Sequence, residues 1–350
     1  MIDFRYHLVS LISVFLALAV GIALGAGPLK ESIGNTLTGQ VDQLREEKDA
    51  LRTELDQANA ATTASDAYVA AAGPALVDGT LSGRNVAVVA MGEVDADAQQ
   101  AIEDQLTAAG ATVTTQVTLT PAWSSTDLRS FRQALVANLT SYLDPQPESG
   151  TGADTALSEA LVQALTGADP ADPTTVSSDA STLIKLLSTG DDPLVQLSGD
   201  LTAPADDVLL LTDDILTTST TSTEDADADQ TQATQDSMAA LVRVTATRAA
   251  GAVVAGGSVA DDALIAAIIA DSDLAGTIST VNAVGTVAGQ VSVPLALNAD
   301  AGGTVGHYGD GDDLTVIPET SELTPVDRSP VADPNAADPA AGDAADGSQG

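Results

Sequence analysis

The stretch NVAVVAMG, residues 85–92, is a continuous apolar run that ends in a glycine. A run of this length without polar alternation is typical of a parallel strand buried on both faces. Residues 95–109 follow with apolar side chains at helical spacing and stop before Gly110, which predicts a helix. Residues 111–119, ATVTTQVTL, are rich in β-branched side chains and predict a second strand. Together these stretches predict a strand–helix–strand unit.

The same alternation continues along the chain. Further strands are predicted at residues 207–212, 252–257, 277–281 and 314–317, and further helices at residues 128–139, 157–165, 183–187, 237–250, 260–269 and 287–297. Alternation of this kind predicts an α/β fold with a mainly parallel sheet flanked by helices, as in a Rossmann-like domain. We therefore expect an extracytoplasmic α/β domain over residues 80–318.

Polar stretches interrupt this alternation and follow it. Residues near 144–154, 167–181 and 217–236 are rich in Pro, Thr, Ser and Asp, a composition that predicts surface loops or disordered insertions. Residues 319–350 carry few large apolar side chains and predict a disordered tail.

The amino-terminal segment has no charged side chain from Leu8 to Leu29, where the sequence is LVSLISVFLALAVGIALGAGPL. About 20 apolar residues suffice to cross a bilayer as a helix, so residues 1–29 predict a transmembrane anchor. The apolar side chains surround this helix, whereas a buried core helix has a one-sided stripe. A cleaved secretory signal, with Ala23 and Gly25 before the cleavage site, is the main alternative, although its apolar region runs only about 7 to 15 residues.

The charges that flank the anchor are nearly balanced. Arg5 lies before the apolar stretch, and Lys30 and Arg45 lie after it. The positive-inside rule therefore does not determine the orientation of the helix in the membrane. The chain contains no Cys, which is compatible with an oxidising compartment. A short cytoplasmic amino terminus with a translocated carboxyl-terminal region is the simpler topology. We therefore expect a single-pass membrane protein of the cell envelope.

The segment after the anchor predicts a coiled-coil helix over residues 30–64. Apolar side chains recur there at alternating spacings of three and four, which defines an a/d seam. The seam consists of Leu37, Val41, Leu44, Lys48, Leu51, Leu55 and Ala58. Two interpretations remain open: a parallel homo-oligomer held by this seam, or one amphipathic helix that packs on its own domain. In the anchor, Ala17, Gly21 and Gly25 recur every four residues, a spacing that lets membrane helices approach closely.

The charge of the chain restricts its partners. The formal net charge is −38, and Lys and Arg together number only 12. Such a charge repels nucleic acid and anionic lipid surfaces, so we expect no nucleic acid as a partner. The membrane is expected as a partner because of the apolar anchor. We interpret the acidity itself as a soluble, salt-tolerant surface.

Few residues could carry catalysis. His7 and His307 are the only histidines, and the absence of Cys removes a cysteine nucleophile. His307 stands in the glycine-rich stretch GTVGHYGDG, where packing beside Tyr308 at a turn is favoured over a role in a Ser-His-Asp arrangement. We therefore predict no catalytic residue and no enzymatic activity.

Two turns mark the default ligand cleft of the predicted sheet. The stretch VVAGGS, residues 253–258, fits neither the dinucleotide nor the P-loop fingerprint, and a tight turn is the favoured interpretation. Gly92 and Glu93 hold the equivalent place after the first strand. Ligands of open α/β sheets bind at this carboxyl edge, and nothing in the sequence identifies the ligand or a cofactor-binding residue.

One acidic run resembles the start of a calcium loop. Asp225, Asp227 and Asp229 have the spacing of calcium ligands, but the loop lacks the glycine at its sixth position, and Asp236 replaces the closing glutamate. We interpret the run as a solvated acidic loop.

Two stretches carry a resemblance to a known family. MIDFRYHLVSLISVFLALAVGIALGAG at residues 1–27, followed by the heptad helix, and TVNAVGTVAGQVSVPLALNADAGGTVGHYG at residues 280–309 resemble the actinobacterial copper transporter family, the group named after the mycobacterial copper transport outer-membrane protein. The resemblance covers most of residues 1–318. It implies an envelope protein, with the outer membrane as one location, that is linked to copper export or tolerance, is described as pore-forming and has copper ions as partners.

The residues themselves do not identify a copper site. Copper favours thiolate, thioether and imidazole ligands, and beyond the anchor only Met91, Met238 and His307 qualify, far apart in the sequence. We therefore predict no metal site and no cofactor.

Two functions remain possible for the chain: an oligomeric, transport-related envelope component for copper efflux and homeostasis, or an anchored structural or interaction protein that binds no copper directly. An enzymatic function is the third alternative, because no set of acid–base or nucleophilic residues is found.

Overall fold

The computed structural model describes residues 4–26, 28–212, 224–257 and 263–330. The chain divides into two compact units, Met1–Ala67 and Tyr68–Gly350. The long helix α2 (Pro28–Val77) contributes residues to both units.

The first unit consists of helix α1 (Phe4–Ala26) and the larger part of α2. Within the described residues, Phe4–Gly25 is the one helical stretch of 22 residues that is long and apolar enough to cross a membrane. The apolar side chains of the predicted seam are exposed on α2, between 38% at Val41 and 65% at Leu51. Exposed leucines at heptad spacing form an apolar stripe on the described part of α2.

The second unit contains the α/β fold that the sequence predicts, and this prediction is confirmed. Its strands are β1 (Asn85–Ala90), β2 (Thr112–Leu119), β3 (Ala168–Asp169), β4 (Asp172–Val176), β5 (Val195–Leu197), β6 (Asp207–Leu211), β7 (Gly251–Ala255), β8 (Ser279–Val281) and β9 (His307–Tyr308). Seven of them form one sheet in the order β5-β2-β1-β6-β7-β8-β9, and β3 pairs with β4 in a separate hairpin. Every neighbouring pair in the large sheet is parallel except β2 and β5.

Helices cover both faces of the sheet. They are α3 (Ala96–Ala108), α4 (Arg129–Leu139), α5 (Ala153–Thr166), α6 (Ser178–Ser188), α7 (Glu224–Arg248), α8 (Leu264–Ala270) and α9 (Val287–Ala301). Three of them begin at a residue whose side chain accepts a hydrogen bond from a free backbone N–H: Asp95 before α3, Ser177 before α6 and Thr286 before α9. Such caps satisfy donors that the helix itself leaves unpaired.

The alternation of side chains along β1 separates two hydrophobic clusters. Ala87, Val89 and Met91 pack into one cluster with side chains of α4 to α8. Val86 and Val88 point to the other, which is built with side chains of α3, α9 and the end of α2. The continuous apolar run at residues 85–92 is therefore explained by burial on both faces.

The end of α2 is part of the second cluster. Val77 is fully buried there, and Val69 packs against the cluster. Gly73 lies between them, and a Cβ atom built at Gly73 would stand 2.7 Å from Cγ2 of Val291 in α9. The absence of a side chain at Gly73 therefore lets the two helix backbones approach closely.

The structure differs from the sequence prediction in two of the polar stretches. Residues 167–181 contain the β3–β4 hairpin and the start of α6, in place of an unstructured insertion. Asp169 and Asp172 stabilise this hairpin because their carboxylates accept local hydrogen bonds from Ala171 and from Thr174. Residues 224–236 belong to α7, whereas residues 217–223 lie outside the described part. Residues 144–152 form a connection into α5, as predicted for a surface loop.

The last strand also lies elsewhere than predicted. Residues 314–317 contribute only an isolated bridge between Thr315 and Tyr308, and the edge strand is β9. Residues 307–308 pair with β8 because Thr280 N–H donates to Gly306 O and Asn282 N–H donates to Tyr308 O. The glycines around β9 conceal it in the sequence, since they are typical of a turn.

The start of the predicted tail is held in place by hydrogen bonds. The amide of Asn298, which is buried in α9, accepts a hydrogen bond from Ser321 N–H at 2.7 Å and donates to Ser321 O and Thr80 O. Arg328 donates to Asp206 at 2.7 Å. A buried amide must find partners, and residues 319–330 supply them, contrary to the prediction of disorder. Residues 331–350 lie outside the described part.

A buried ion pair joins the starts of the two central strands. Arg84, just before β1, donates from Nε and Nη2 to the carboxylate of Asp207 at 2.5 and 2.6 Å. Asp207 is fully buried, and burial raises its pKa to about 6 although the hydrogen bond and charge of Arg84 oppose that rise. Its charged form therefore depends on Arg84.

Removing Arg84 should destabilise the domain in a pH-dependent way. We expect Arg84→Met to lower the free energy of unfolding by about 3–5 kcal/mol at pH 8, because it leaves a buried carboxylate without a partner. Without Arg84 the folded-state pKa of Asp207 rises further above its unfolded value, so protonation restores stability as the pH falls. The loss should therefore be smaller at pH 5, as measured by urea unfolding of the full chain in detergent.

The control for this variant removes both charges. Arg84→Met with Asp207→Leu should recover a large part of the loss at pH 8, because no buried charge remains. An equal loss for Arg84→Met at pH 5 and pH 8 would contradict the account.

A side chain at Gly73 should disturb the docking of α2. We expect Gly73→Val to cost about 1–3 kcal/mol in the free energy of unfolding, because the new side chain overlaps Val291. Val291→Ala should partly rescue the variant. Gly39→Val is the matched control in the same helix, since a Cβ at Gly39 meets nothing within 4 Å. Equal effects at the two glycines would show that helix propensity alone is responsible.

Candidate functional site

The carboxyl edge of the sheet brings together the turns that the sequence singled out. Strands β1, β6 and β7 are parallel neighbours, so their carboxyl ends lie at the same edge of the sheet. Gly92 follows the end of β1 and Gly256 follows the end of β7, one on each side of β6. The strand order reverses direction between β1 and β6, which is where ligands bind in open α/β sheets. Gly92 has φ +151°, and Glu93 next to it is exposed. Residues 213–223 and 258–262, which also follow strands at this edge, lie outside the described part.

The peptide groups of Gly256 take part in the fold. Its N–H donates to Val281 O at 2.9 Å, and its carbonyl accepts from Val284 N–H at 3.1 Å. A Cβ atom there would stand 2.7 Å from Cγ2 of Thr212 and 3.1 Å from Cδ1 of Ile265. The glycine is thus required for close packing. This supports the interpretation of residues 253–258 as a tight turn and argues against a phosphate-binding loop.

The three candidate copper ligands have separate environments. Met91 at the end of β1 and Met238 in α7 are both buried in the cluster on the α4–α8 side of the sheet. His307 lies in β9, the edge strand at the far end of the large sheet. Among the described residues, no three His, Cys, Asp or Glu side chains are grouped in a way that could hold a metal ion.

His307 has a structural environment. Its Nδ1 atom lies 2.9 Å from Oγ1 of Thr280, which is almost fully buried. Burial lowers the pKa of His307, although a backbone hydrogen bond at Ala275 opposes this. The carboxylate of Asp300 accepts hydrogen bonds from Ser279 and from Ala252 N–H. These contacts support the interpretation of His307 as a residue packed at a turn over a role in a Ser-His-Asp arrangement.

The acidic run at residues 224–230 is helical, which corrects its interpretation as a loop. These residues form the first turns of α7. The helix dipole favours acidic residues near the amino terminus of a helix, so the composition of the run suits a helix start. A calcium loop requires an extended turn and is not compatible with a helix.

A groove between α5, α7 and α8 is a concave surface that the sequence did not predict. It has a volume of about 610 Å³. Its floor is apolar, with Val244, Leu264 and Ile268 among the lining residues. Its rim carries the carboxylates of Asp154, Asp236 and Asp271 against the single guanidinium of Arg243. The spacing of Asp236, Ala240, Arg243 and Val244 along α7 is the signal by which the sequence could have indicated it.

The charged side chains of the groove have local partners. Arg243 pairs with Asp271 at 3.2 Å, with both side chains partly exposed. Asp154 accepts a hydrogen bond from Ser237 at 3.2 Å and lies 3.8 Å from Arg132. The exposed Arg243–Asp271 pair is weak, and the three carboxylates of the groove outnumber its one guanidinium, so the rim has an excess of negative charge. The groove therefore suits a cationic or apolar group, such as a side chain of another protein, better than an anion.

Comparison with known proteins identifies the chain's relatives. The family model described as copper transport outer membrane protein, MctB, matches residues 1–318. Copper transporter MctB of Mycobacterium tuberculosis (strain ATCC 25618 / H37Rv) is 32% identical over 327 residues, which cover 89% of this chain and 97% of that protein. Copper transporter MctB of Mycobacterium leprae (strain TN) is 29% identical over 334 residues, which cover 91% of this chain and 99% of that protein.

The family match includes both the apolar helix α1 and the whole sheet. The resemblance found in the sequence is thereby confirmed. The chain belongs to the MctB family of copper transport outer membrane proteins.

Proposed function

We propose that the chain is a membrane-anchored protein of the cell envelope that takes part in copper efflux and so in copper homeostasis. The observation that carries the proposal is the apolar helix α1, which lies inside the segment matched by the copper transport family. In this proposal residues 1–29 form the anchor, residues 30–64 form a coiled-coil helix, and the α/β domain lies outside the cytoplasm.

The proposed contribution to transport does not depend on a tight copper site in the α/β domain. Met91 and Met238 are buried in a packed cluster, and His307 is engaged with Thr280. A single helix lines a path across a membrane only when several chains assemble. We therefore propose a homo-oligomer through α1 and α2, in which copper passage depends on the assembly.

A second function is favoured by the groove between α5, α7 and α8. Its apolar floor and acidic rim suit a contact with another envelope protein. In that case the chain is an anchored interaction component, and its effect on copper is indirect.

A deletion strain separates the two functions. Under the transport proposal, loss of the gene raises both copper sensitivity and the copper content of the cells, and the full chain restores both. A normal copper content together with a normal tolerance would contradict the transport proposal and favour the interaction component. Ala240→Arg, placed in the groove floor, should leave copper tolerance unchanged under the transport proposal and should lower it if the chain affects copper only through a partner bound in the groove.

The anchor should remain attached to the mature protein. Amino-terminal sequencing of the protein from membranes should find the first residues of the chain, because the uncharged stretch is longer than the apolar region of a cleaved signal. Protease added to intact spheroplasts should degrade the α/β domain. Recovery of a soluble chain that starts near Ala26 would contradict the anchor, and a protected domain would contradict the topology.

The protein should bind copper only weakly. Titration of the full chain in detergent with Cu(I) should give a weak, salt-sensitive association, because the soft ligands are separate and the surface is acidic. His307→Ala should not change the result. A stoichiometric, salt-resistant site would contradict this prediction, and Met91→Leu, Met238→Leu and His307→Ala would then locate it.

A further inference from the structure

Helix α2 carries a shallow groove on its exposed apolar stripe. The groove is lined by Leu44, Glu47, Lys48, Leu51, Arg52 and Leu55. In the heptad notation abcdefg, the seam places Val41, Lys48 and Leu55 at a, and Leu37, Leu44, Leu51 and Ala58 at d. Glu47 then stands at g and Arg52 at e. The groove is thus made of a and d residues with one g and one e residue at its sides.

This composition matches two successive holes of a parallel coiled coil. In such a coil each a side chain enters a hole formed by four residues of the facing helix, at d, g, a and d, and each d side chain enters a hole at a, d, e and a. Leu44, Glu47, Lys48 and Leu51 form the first kind of hole, and Lys48, Leu51, Arg52 and Leu55 form the second. We propose that a second copy of this chain occupies the groove, so that residues 37–58 form a parallel, in-register, two-stranded coiled coil.

Charge complementarity fixes the direction of the two helices. In a parallel pair, a g residue faces the e residue five positions later on the other helix, which pairs Glu47 with Arg52 of the second copy twice. In an antiparallel pair, g faces g and e faces e, which sets glutamates against glutamates and arginines against arginines. Arg52 lies 3.8 Å from Asp49, and Glu47 accepts a hydrogen bond from Gln43. Both contacts are on the exposed surface and are weak, so the two side chains can exchange them for the pairing.

The residues of the seam also favour a coiled coil of two helices over one of three or four. A β-branched residue at a with leucine at d favours a dimer, and this combination occurs at Val41 and Leu44. Lys48 occupies an a position, where its long side chain can leave the narrow seam of a dimer and approach Glu47 of the other helix. A lysine at one a position fixes the register at a cost in stability.

The fold sets the end of the seam. The next a position after Leu55 and Thr62 is Val69, which packs against the core cluster of its own domain. The face of α2 is therefore available to a second copy only before this point. The inference rests on the proposed membrane anchoring, because two chains that insert the same amino-terminal helix enter the coil in the same direction.

A similar groove on α1 has the same heptad phase. It is lined by Val9, Ile12, Ser13, Leu16, Ala17 and Val20, and each of these residues stands five heptads before its counterpart in the groove on α2. The match of phase extends the proposed contact surface into the anchor, beside the small residues Ala17 and Gly21.

Single-cysteine crosslinking tests the register. The chain has no Cys, so each variant carries one thiol. Leu44→Cys and Leu51→Cys, tested as full-length protein in native membranes under mild oxidation, should each give a disulfide-linked dimer of twice the 35.0 kDa chain mass, because d residues face each other across a parallel seam. Thr53→Cys, on the outward face of the helix, should give little disulfide-linked dimer. Equal crosslinking of all three variants, or none at Leu44 and Leu51, would overturn the proposal.

Charge exchange tests the direction. Glu47→Arg and Arg52→Glu should each weaken dimerisation in detergent about tenfold, and the double variant should restore it, because two pairs are reversed together. Glu46→Arg, at an outward position, is the matched control. A double variant weaker than both single variants would contradict the proposed pairing.

The state of assembly completes the test. Leu44→Glu, Leu51→Glu and Leu55→Glu together should give a monomer with a folded α/β domain, whereas Gln43→Glu, Ala50→Glu and Thr53→Glu should stay dimeric. A monomeric or trimeric unaltered protein would overturn the two-stranded coil. A monomeric protein would also contradict the proposed assembly for copper passage, whereas the role in copper efflux itself is tested separately by the copper tolerance and content of the deletion strain.

Discussion

Three aspartates at the amino edge of the sheet hold the starts of its central parallel strands. Asp207 binds Arg84 ahead of β1, and Asp206 accepts the first N–H of β1, Asn85, at 2.7 Å. Asp300, at the end of α9, accepts from Ala252 N–H in β7 and from Ser279 in β8. Asp206 and Asp300 satisfy backbone donors at this edge, and Asp207 binds the guanidinium next to β1, so the three carboxylates link the starts of neighbouring strands.

This constraint explains why the unusual pKa values do not mark an active site. Burial raises the pKa values of Asp207 and Asp300, a pattern that often accompanies catalysis. Both groups lie at the amino edge, however, whereas ligands of open α/β sheets bind at the carboxyl edge. Each carboxylate already accepts hydrogen bonds from the strands that it aligns. Their titration therefore affects the stability of the fold.

The sequence predicted those parts of the fold whose signal is local. Strands such as β1, β6 and β7 are buried on both faces, so their apolar runs identify them without knowledge of the neighbours. The short strands β5 and β9 depend on pairing with distant segments and carry no such run. The first part of the tail is ordered by Asn298 and Asp206, far away in the sequence, so its composition alone was misleading. The groove was missed because three separate helices contribute to it.

In the proposed dimer, the seam of α2 is too short to hold two chains together alone, and the anchor helix α1 contributes to their association. Burial of one leucine contributes about 1.5–3 kcal/mol, whereas association of two free chains costs about 4–15 kcal/mol. A seam of about three heptads with a lysine inside it is therefore marginal in free solution. Tethering both chains in one membrane raises their effective concentration and removes the antiparallel arrangement before the helices meet. In the proposed dimer, α1 supplies the effective concentration and the direction, and the exposed leucines of α2 supply the specificity, so neither segment is sufficient without the other.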